Sequence, residues 1–152
     1  MAKKFSLEWW AEQRPEVIGK ETEKLVEGIL KAMNEKIAFA YHRLPDAKSA
    51  RGALAAQPAD FMWRRASNGG FLEVKALKHA FRLPAARLTQ HAVLNKWTWA
   101  GADNFVLVHH YMTGKWRIAD VRELGLGMTS WDLRNLEEFD SAEMALKSTG
   151  CF

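Results

Sequence analysis

The chain has 152 residues, enough for one domain with a substantial hydrophobic core. Hydrophobic residues make up 48% and charged residues 26%, a balance that excludes a disordered or fibrous chain. The net charge of +4 is compatible with a polyanionic partner. The single cysteine, Cys151, excludes an internal disulfide framework and a cysteine-based zinc site. Because no apolar stretch approaches the roughly 20 residues that span a bilayer and no secretion signal is evident, we expect a cytoplasmic protein without a membrane partner.

The first third of the chain predicts a helix, a strand and a long loop. Apolar residues recur at helical spacing from Lys20 to Glu35, which predicts an amphipathic helix. The short apolar and aromatic segment from Ile37 to His42 predicts a strand. The segment from Leu44 to Pro58 contains prolines and small residues, and it predicts a long surface loop of a kind that is usually functional.

A hairpin is predicted next. The segments from Ala59 to Arg65 and from Gly70 to Leu77 read as two strands around an Ala-Ser-Asn-Gly turn. In that turn, Asn68-Gly69 supplies residues that tolerate a positive φ.

The remaining elements are a second helix, two more strands and a short terminal helix. The helix is predicted from Pro84, a favourable first-turn residue, to Trp99, and it stops at Gly101. Asp140 is predicted to cap the terminal helix, with Glu143 at capping-box spacing. The two further strands are predicted at Asn104–Tyr111 and Lys115–Val121.

This order of elements predicts an α+β fold with a mixed central β-sheet flanked by helices. No internal repeat or interdomain linker interrupts the sequence, so we expect a single domain over residues 1–152 that ends in a helical tail over residues 122–152.

The predicted hairpin brings chemically active residues together. Alternate side chains of a strand share a face, so Glu73 and Lys75 project together while Leu72 and Val74 face the core. Asp60, thirteen positions before Glu73, lies on the neighbouring strand. We therefore expect two carboxylates and one ammonium group to converge at one point.

Such a set suits metal-dependent hydrolysis of a phosphodiester. Mg²⁺ prefers oxygen ligands, so Asp60, Glu73 and a backbone carbonyl, that of Val74, would hold it. The metal would neutralise a phosphate oxygen and activate a water molecule. Lys75 would orient that water and offset developing negative charge.

Two further residues are candidates for the same site. Glu23 lies at the border of the apolar stripe of the first helix, from which it could reach the metal directly or through water. Gln90, in the second predicted helix, is a candidate polar neighbour of the substrate phosphate or of Lys75.

The pattern Pro-x-Asp…Glu-x-Lys resembles the PD-(D/E)XK nuclease superfamily, and within it the RecU-type Holliday-junction resolvases. The shared features, in chain order from about residue 17 to 121, are Gly19-x-x-x-Glu23, Lys48-Ser49, Asp60, Glu73-x-Lys75-Ala76, and Phe81-Arg82-Leu83-Pro84 leading to Gln90.

The resemblance implies a restriction-endonuclease-like αβββαβ core and a homodimer that cuts four-way DNA junctions with paired nicks in recombination and repair. It implies Mg²⁺ or Mn²⁺ as cofactor, bound by Asp60 and Glu73, with Lys75 as the catalytic lysine and Glu23 and Gln90 as supporting residues. A protein of this size and type would suit a bacterial or a phage genome equally.

Basic residues near the predicted site are candidate phosphate contacts. They are Lys48, Arg64, Arg65, Lys78, Arg82, Arg87 and Lys96.

Three other interpretations of the sequence stay open. The weakly charged segment from Pro45 to Pro58 is compatible with a related nuclease that cuts flaps or acts like a restriction enzyme. The chain could also be a non-catalytic DNA-binding module, although all three catalytic residue types are present. A basic structural protein with no nucleic-acid role is the third alternative.

Overall fold

A computed structural model describes residues 2–36, 38–45, 57–78 and 81–152. Its helices are α1 (Leu7–Glu12), α2 (Pro15–Lys36), α3 (His91–Trp99) and α4 (Ala142–Ser148). Its strands are β1 (Phe39–Arg43), β2 (Phe61–Arg65), β3 (Asn68–Leu77), β4 (Arg82–Pro84), β5 (Phe105–His110), β6 (Lys115–Asp120) and β7 (Ser130–Asp132). Much of the predicted loop, residues 46–56, lies outside the described residues.

A mixed five-stranded sheet organises the fold, in the order β1-β2-β3-β5-β6. The first three strands form an antiparallel meander, β3 and β5 pair in parallel, and β6 pairs antiparallel to β5. Helix α3 lies in the connection between the two parallel strands, as a crossover of this kind requires. The predicted mixed sheet is therefore confirmed.

Both faces of this sheet are buried. On one face, Leu72 and Val74 of β3 pack in a cluster with Val26 and Leu30 of α2. On the other face, Phe71 and neighbouring apolar residues pack in a cluster under α3. The central strand β3 therefore lies between two hydrophobic layers, which bury the side chain of Glu73.

The start of the first predicted helix and the turn of the hairpin differ from the sequence-based predictions. Helix α2 begins at Pro15, five residues before its predicted start, with the proline in the first turn. The hairpin turns at Ala66 and Ser67, because Arg65 pairs with Asn68 and both Asn68 and Gly69 belong to β3. Ala66 adopts the positive φ, 50°, which the sequence had assigned to Asn68-Gly69.

The second predicted helix begins later than expected. Pro84 ends β4, which pairs with β7 in a separate two-stranded sheet, and α3 starts only at His91. Pairing with a strand distant in sequence thus overrides the local helix signal of the proline.

The two terminal regions also differ from prediction. Ser141 rather than Asp140 caps α4, by accepting a hydrogen bond from the Met144 N–H. Helix α1 was not predicted; Ser6 caps it and Trp10 anchors it in the interior. In the part of the chain that the structure describes, no helix is long and apolar enough to cross a membrane.

Candidate active site

Asp60 lies immediately before β2 and is fixed through both its main chain and its side chain. Its carbonyl accepts a hydrogen bond of 2.8 Å from the Leu44 N–H. Its Oδ2 accepts a hydrogen bond of 2.7 Å from the Val74 N–H. Because the N–H and C=O of a strand residue point to the same edge, the Val74 carbonyl lies on the edge of β3 whose N–H binds Asp60.

Glu73 lies opposite Asp60, since the hairpin pairs Phe61 with Leu72. Its side chain is 1% exposed. Its Oε1 lies 2.6 Å from Lys75 Nζ, whereas its buried Oε2 has no hydrogen-bond partner among the described residues. Such an orphaned buried oxygen is costly, and it is a donor that a bound cation would satisfy.

The pKa of Glu73 is raised to about 7. Burial is the largest cause, and the negative charges of Asp60 and Glu23 add to it, while Lys75 opposes the shift through its charge and hydrogen bond. Glu23, Asp60 and Glu73 therefore lie within electrostatic range of one another.

Lys75 lies two residues after Glu73 and projects from the same face of β3, as the strand alternation predicted. Its side chain is 19% exposed, so Lys75 keeps some contact with solvent while it is paired with Glu73. The guanidinium of Arg87 lies along the next part of the strand, where its Nη2 donates to the carbonyl of Ala76 at 3.1 Å.

Glu23 is held by a residue that the sequence analysis missed. Arg43, the last residue of β1, donates from Nη2 to Glu23 Oε2 at 2.9 Å and from Nη1 to Glu27 Oε2 at 2.7 Å. Asp60 also contributes to the electrostatic environment of Arg43. The only sequence signal for this role is the position of an arginine at the end of the strand that precedes the loop to Asp60.

The structure places Gln90 at the start of α3, outside this hydrogen-bonded group. Its Oε1 accepts a hydrogen bond of 3.3 Å from Thr89 Oγ1. Within the described ranges, its side chain makes no hydrogen bond to Glu73 or Lys75.

The candidate DNA-binding residues occupy three regions. Arg64 and Arg65 lie at the turn end of β2, roughly 13–17 Å along the strand from Asp60. Arg82 donates a hydrogen bond to Ser130 and forms an ion pair with Asp132, both in β7. The exposed residues nearer the end of β3 and on α3 are Lys78, Arg87 and Lys96, and Lys48 lies outside the described residues.

The residues present fit a divalent cation that keeps part of its water shell. Among the described side chains, no group of three or more His, Cys, Asp or Glu residues could hold a metal by itself. The carboxylates of Asp60 and Glu73 and the carbonyl of Val74 form the small set of hard oxygen donors that Mg²⁺ takes, with water completing its octahedron. The donor chemistry and the orphaned Glu73 Oε2 both agree with this assignment.

Comparison with known proteins identifies the fold. No family profile matches the sequence, and no curated protein matches it either. Among solved structures, the chain is similar to Hjc of Archaeoglobus fulgidus, described as a Holliday junction resolvase from an archaeal hyperthermophile. The TM-score is 0.52 and the identity 18%, and the match covers 87% of this chain and 99% of the other. The chain therefore has the restriction-endonuclease-like fold that its sequence predicted.

Proposed function

We propose that the chain is a Mg²⁺-dependent, structure-selective endodeoxyribonuclease that resolves four-way DNA junctions by paired nicks. The observation that carries this proposal is the convergence of Asp60, Glu73 and Lys75 at one edge of β3, with one oxygen of Glu73 left without a hydrogen-bond partner in the described structure. The shared fold with an archaeal junction resolvase supports the choice of substrate.

In this proposal, Asp60, Glu73 and the Val74 carbonyl hold Mg²⁺, or Mn²⁺ in its place. The bound ion would supply Lewis-acid stabilisation of the phosphate and lower the pKa of the attacking water. Lys75 donates hydrogen bonds to the attacking water and to the phosphate oxygens, where negative charge develops in the transition state. Its pairing with Glu73 fixes the ammonium group beside the donor oxygens before the substrate arrives.

DNA would lie across the end of β3 and the start of α3, where exposed basic side chains lie. Arg87 is already held beside the catalytic strand by the Ala76 carbonyl. Contacts of Lys78, Arg87 and Lys96 with phosphates would make binding weaken steeply as salt concentration rises.

We propose a homodimer, and an exposed apolar surface supports it. On α3, Val93 is 47% and Trp97 50% exposed, and Trp97 packs edge-on against Phe71 at 5.3 Å. Beside them lie Met62, which is 46% exposed, and a cavity of about 560 Å³. A second copy of the chain would cover this surface and would supply the second site needed for two symmetric nicks.

The proposal is tested by incubating the protein with labelled four-way junctions, flaps and linear duplexes in Mg²⁺. We expect paired nicks in the junction and little cutting of the duplex. Equal cutting of all three substrates would exclude junction resolution but keep the nuclease, and cutting confined to flaps would assign the substrate to that class.

Asp60→Asn is the matched control, because its side-chain carbonyl can still accept from the Val74 N–H while the negative charge is lost. We expect this variant to bind junctions without cutting them. If parent and variant both bind and neither cuts, the chain is a DNA-binding module; if both cut equally, Asp60 is not a metal ligand.

A further inference from the structure

Arg43 occupies a position that links three parts of the candidate site. It ends β1, where it pairs with Phe61, and the next residue, Leu44, is bonded through its N–H to the Asp60 carbonyl. The guanidinium lies over the Phe61 ring, 6.0 Å from its centroid, and Phe61 is fully buried. The main chain beside Arg43 is therefore tied to Asp60, and its guanidinium is placed over a buried ring.

The charged end of Arg43 bridges two glutamates of α2. Glu23 and Glu27 are one helical turn apart, a spacing at which like charges repel. The guanidinium contacts one oxygen of each, at 2.9 Å and 2.7 Å, and the three side chains are 27–38% exposed. The planar fork of an arginine suits this double contact, which a lysine ammonium would not reproduce.

Arg43 also balances the charge of the site. Glu23, Glu27 and Asp60 each favour the charged form of Arg43, and Asp60 and Glu23 also act on Glu73. Lys75 pairs with Glu73 on one side of this group, and Arg43 pairs with the helix acids on the other. A cation that enters between Asp60 and Glu73 therefore meets carboxylates already partly neutralised from both sides.

We infer that Arg43 is a positioning residue that orients Glu23 toward the site and limits the affinity of the site for divalent metal. The inference rests on the proposed function, because it concerns the same site. The inference makes two predictions about removal of the guanidinium. Metal binding becomes stronger, because a competing positive charge is lost. Cleavage becomes slower, because Glu23 loses its hydrogen bond to Arg43.

The first prediction is tested on the protein with Mn²⁺ alone, by the electron paramagnetic resonance signal of the free ion. Arg43→Gln is expected to bind Mn²⁺ about tenfold tighter, the order expected for one partly screened charge acting on a divalent ion. Arg43→Lys keeps the charge and is expected to stay within about twofold of the parent. Arg134→Gln is the matched control, because Arg134 is exposed and pairs with Asp132. Unchanged or weaker Mn²⁺ binding by Arg43→Gln would overturn the inference.

The second prediction is tested by a double-mutant cycle on the rate of junction cleavage. If Arg43 acts through Glu23, Arg43→Gln slows the parent but adds little to Glu23→Gln. Losses that multiply in the double variant would show that Arg43 acts independently of Glu23 and would overturn the inference. Thermal unfolding checks that each variant is folded; if Arg43→Gln is not, the same cycle is run with Arg43→Lys, which also loses the double contact.

Failure of the proposed function can be distinguished from failure of the role inferred for Arg43. A parent protein that neither binds Mn²⁺ nor cuts DNA refutes the proposed function, and the inference falls with it. A parent that does both, together with an Arg43→Gln variant that binds Mn²⁺ no more tightly, refutes only the role of Arg43.

Discussion

Lys75 Nζ lies 2.6 Å from one carboxylate oxygen of Glu73, while the other oxygen has no hydrogen-bond partner in the described part of the chain. A buried carboxylate that is only half satisfied lowers the stability of the protein unless a further ligand completes it. Glu73 therefore connects the folding energetics of β3 with its proposed chemistry.

Replacing Glu73 with glutamine is expected to change how stability depends on pH. The folded parent keeps the Glu73 proton up to about pH 7, whereas the unfolded chain releases it near the ordinary value of 4.5. Glu73 thus contributes stability that is fully present below pH 4.5 and is lost as pH rises to about 7. Glu73→Gln has no such proton, so its free energy of unfolding should rise relative to the parent across this window, by a few kcal/mol.

Urea denaturation of both metal-free proteins at several pH values from 4.5 to 8 measures this difference. Other titrating groups are common to both proteins and cancel. A difference that does not vary with pH would show that the pKa of Glu73 is not raised.

Lys75→Met is expected to separate metal binding from catalysis. Without the ammonium group, nothing opposes burial and the neighbouring carboxylates, so the pKa of Glu73 should rise further. Mn²⁺ binding should persist but require higher pH, and cleavage should fall by about 100-fold or more at every pH. Metal titrations and cleavage rates from pH 6 to 9 test both statements; a variant that recovers full activity at high pH would restrict Lys75 to tuning Glu73.

The proximity of Asp60, Glu73 and Lys75 could be predicted from the sequence because much of their geometry is local. Strand alternation placed Glu73 and Lys75 on one face, and a short hairpin brought Asp60 opposite Glu73. The shared face of Glu73 and Lys75 depends only on the two-residue period of a strand, which is visible in a few residues of sequence. The register that sets Asp60 opposite Glu73 depends on where the hairpin turns, and that turn lies at Ala66 and Ser67 rather than at the predicted Asn68-Gly69.

The features that were predicted wrongly or not at all depend instead on contacts between segments distant in sequence. Arg43 reaches its glutamates only because β1 pairs with β2 and α2 packs on the same sheet. Pro84 looks like the start of a helix until β4 pairs with β7, about 48 residues further on. Contacts between distant segments decided both cases, and no local pattern reports them.

The buried histidines of β5 are expected to remain neutral well into the acid range. His109 stacks on Trp116 at 4.1 Å and bonds Thr22, and His110 bonds Arg117 at 3.0 Å. Burial, the largest cause, lowers the pKa of His109 to about 3, with the charge of His110 contributing. Burial and then the charge of Arg117 lower the pKa of His110 to about 4.

His109 and His110 contribute stability that is fully present above pH 6.5 and is lost as pH falls toward 4. In that range the unfolded chain binds protons that these two buried rings do not bind in the folded chain. NMR titration should show two histidine rings whose signals do not move above pH 5. His110→Gln should make the free energy of unfolding less sensitive to acid. Titration of all histidines near pH 6.5 would contradict the buried arrangement.

Asn104 is expected to be the polar residue whose replacement most lowers the stability of the packing between α3 and β3. It is fully buried; its Oδ1 accepts from the Phe71 N–H at 2.8 Å, and its Nδ2 donates to Leu94 and Thr98 of α3. Alanine would leave the buried Phe71 N–H unpaired, two residues before Glu73, at a cost of about 1–3 kcal/mol. Asn95→Ala, at a half-exposed position of the same helix, should cost less than about 0.5 kcal/mol. Urea denaturation at pH 7 compares the two, and equal costs would mean that the Asn104 bonds do not hold α3 against β3.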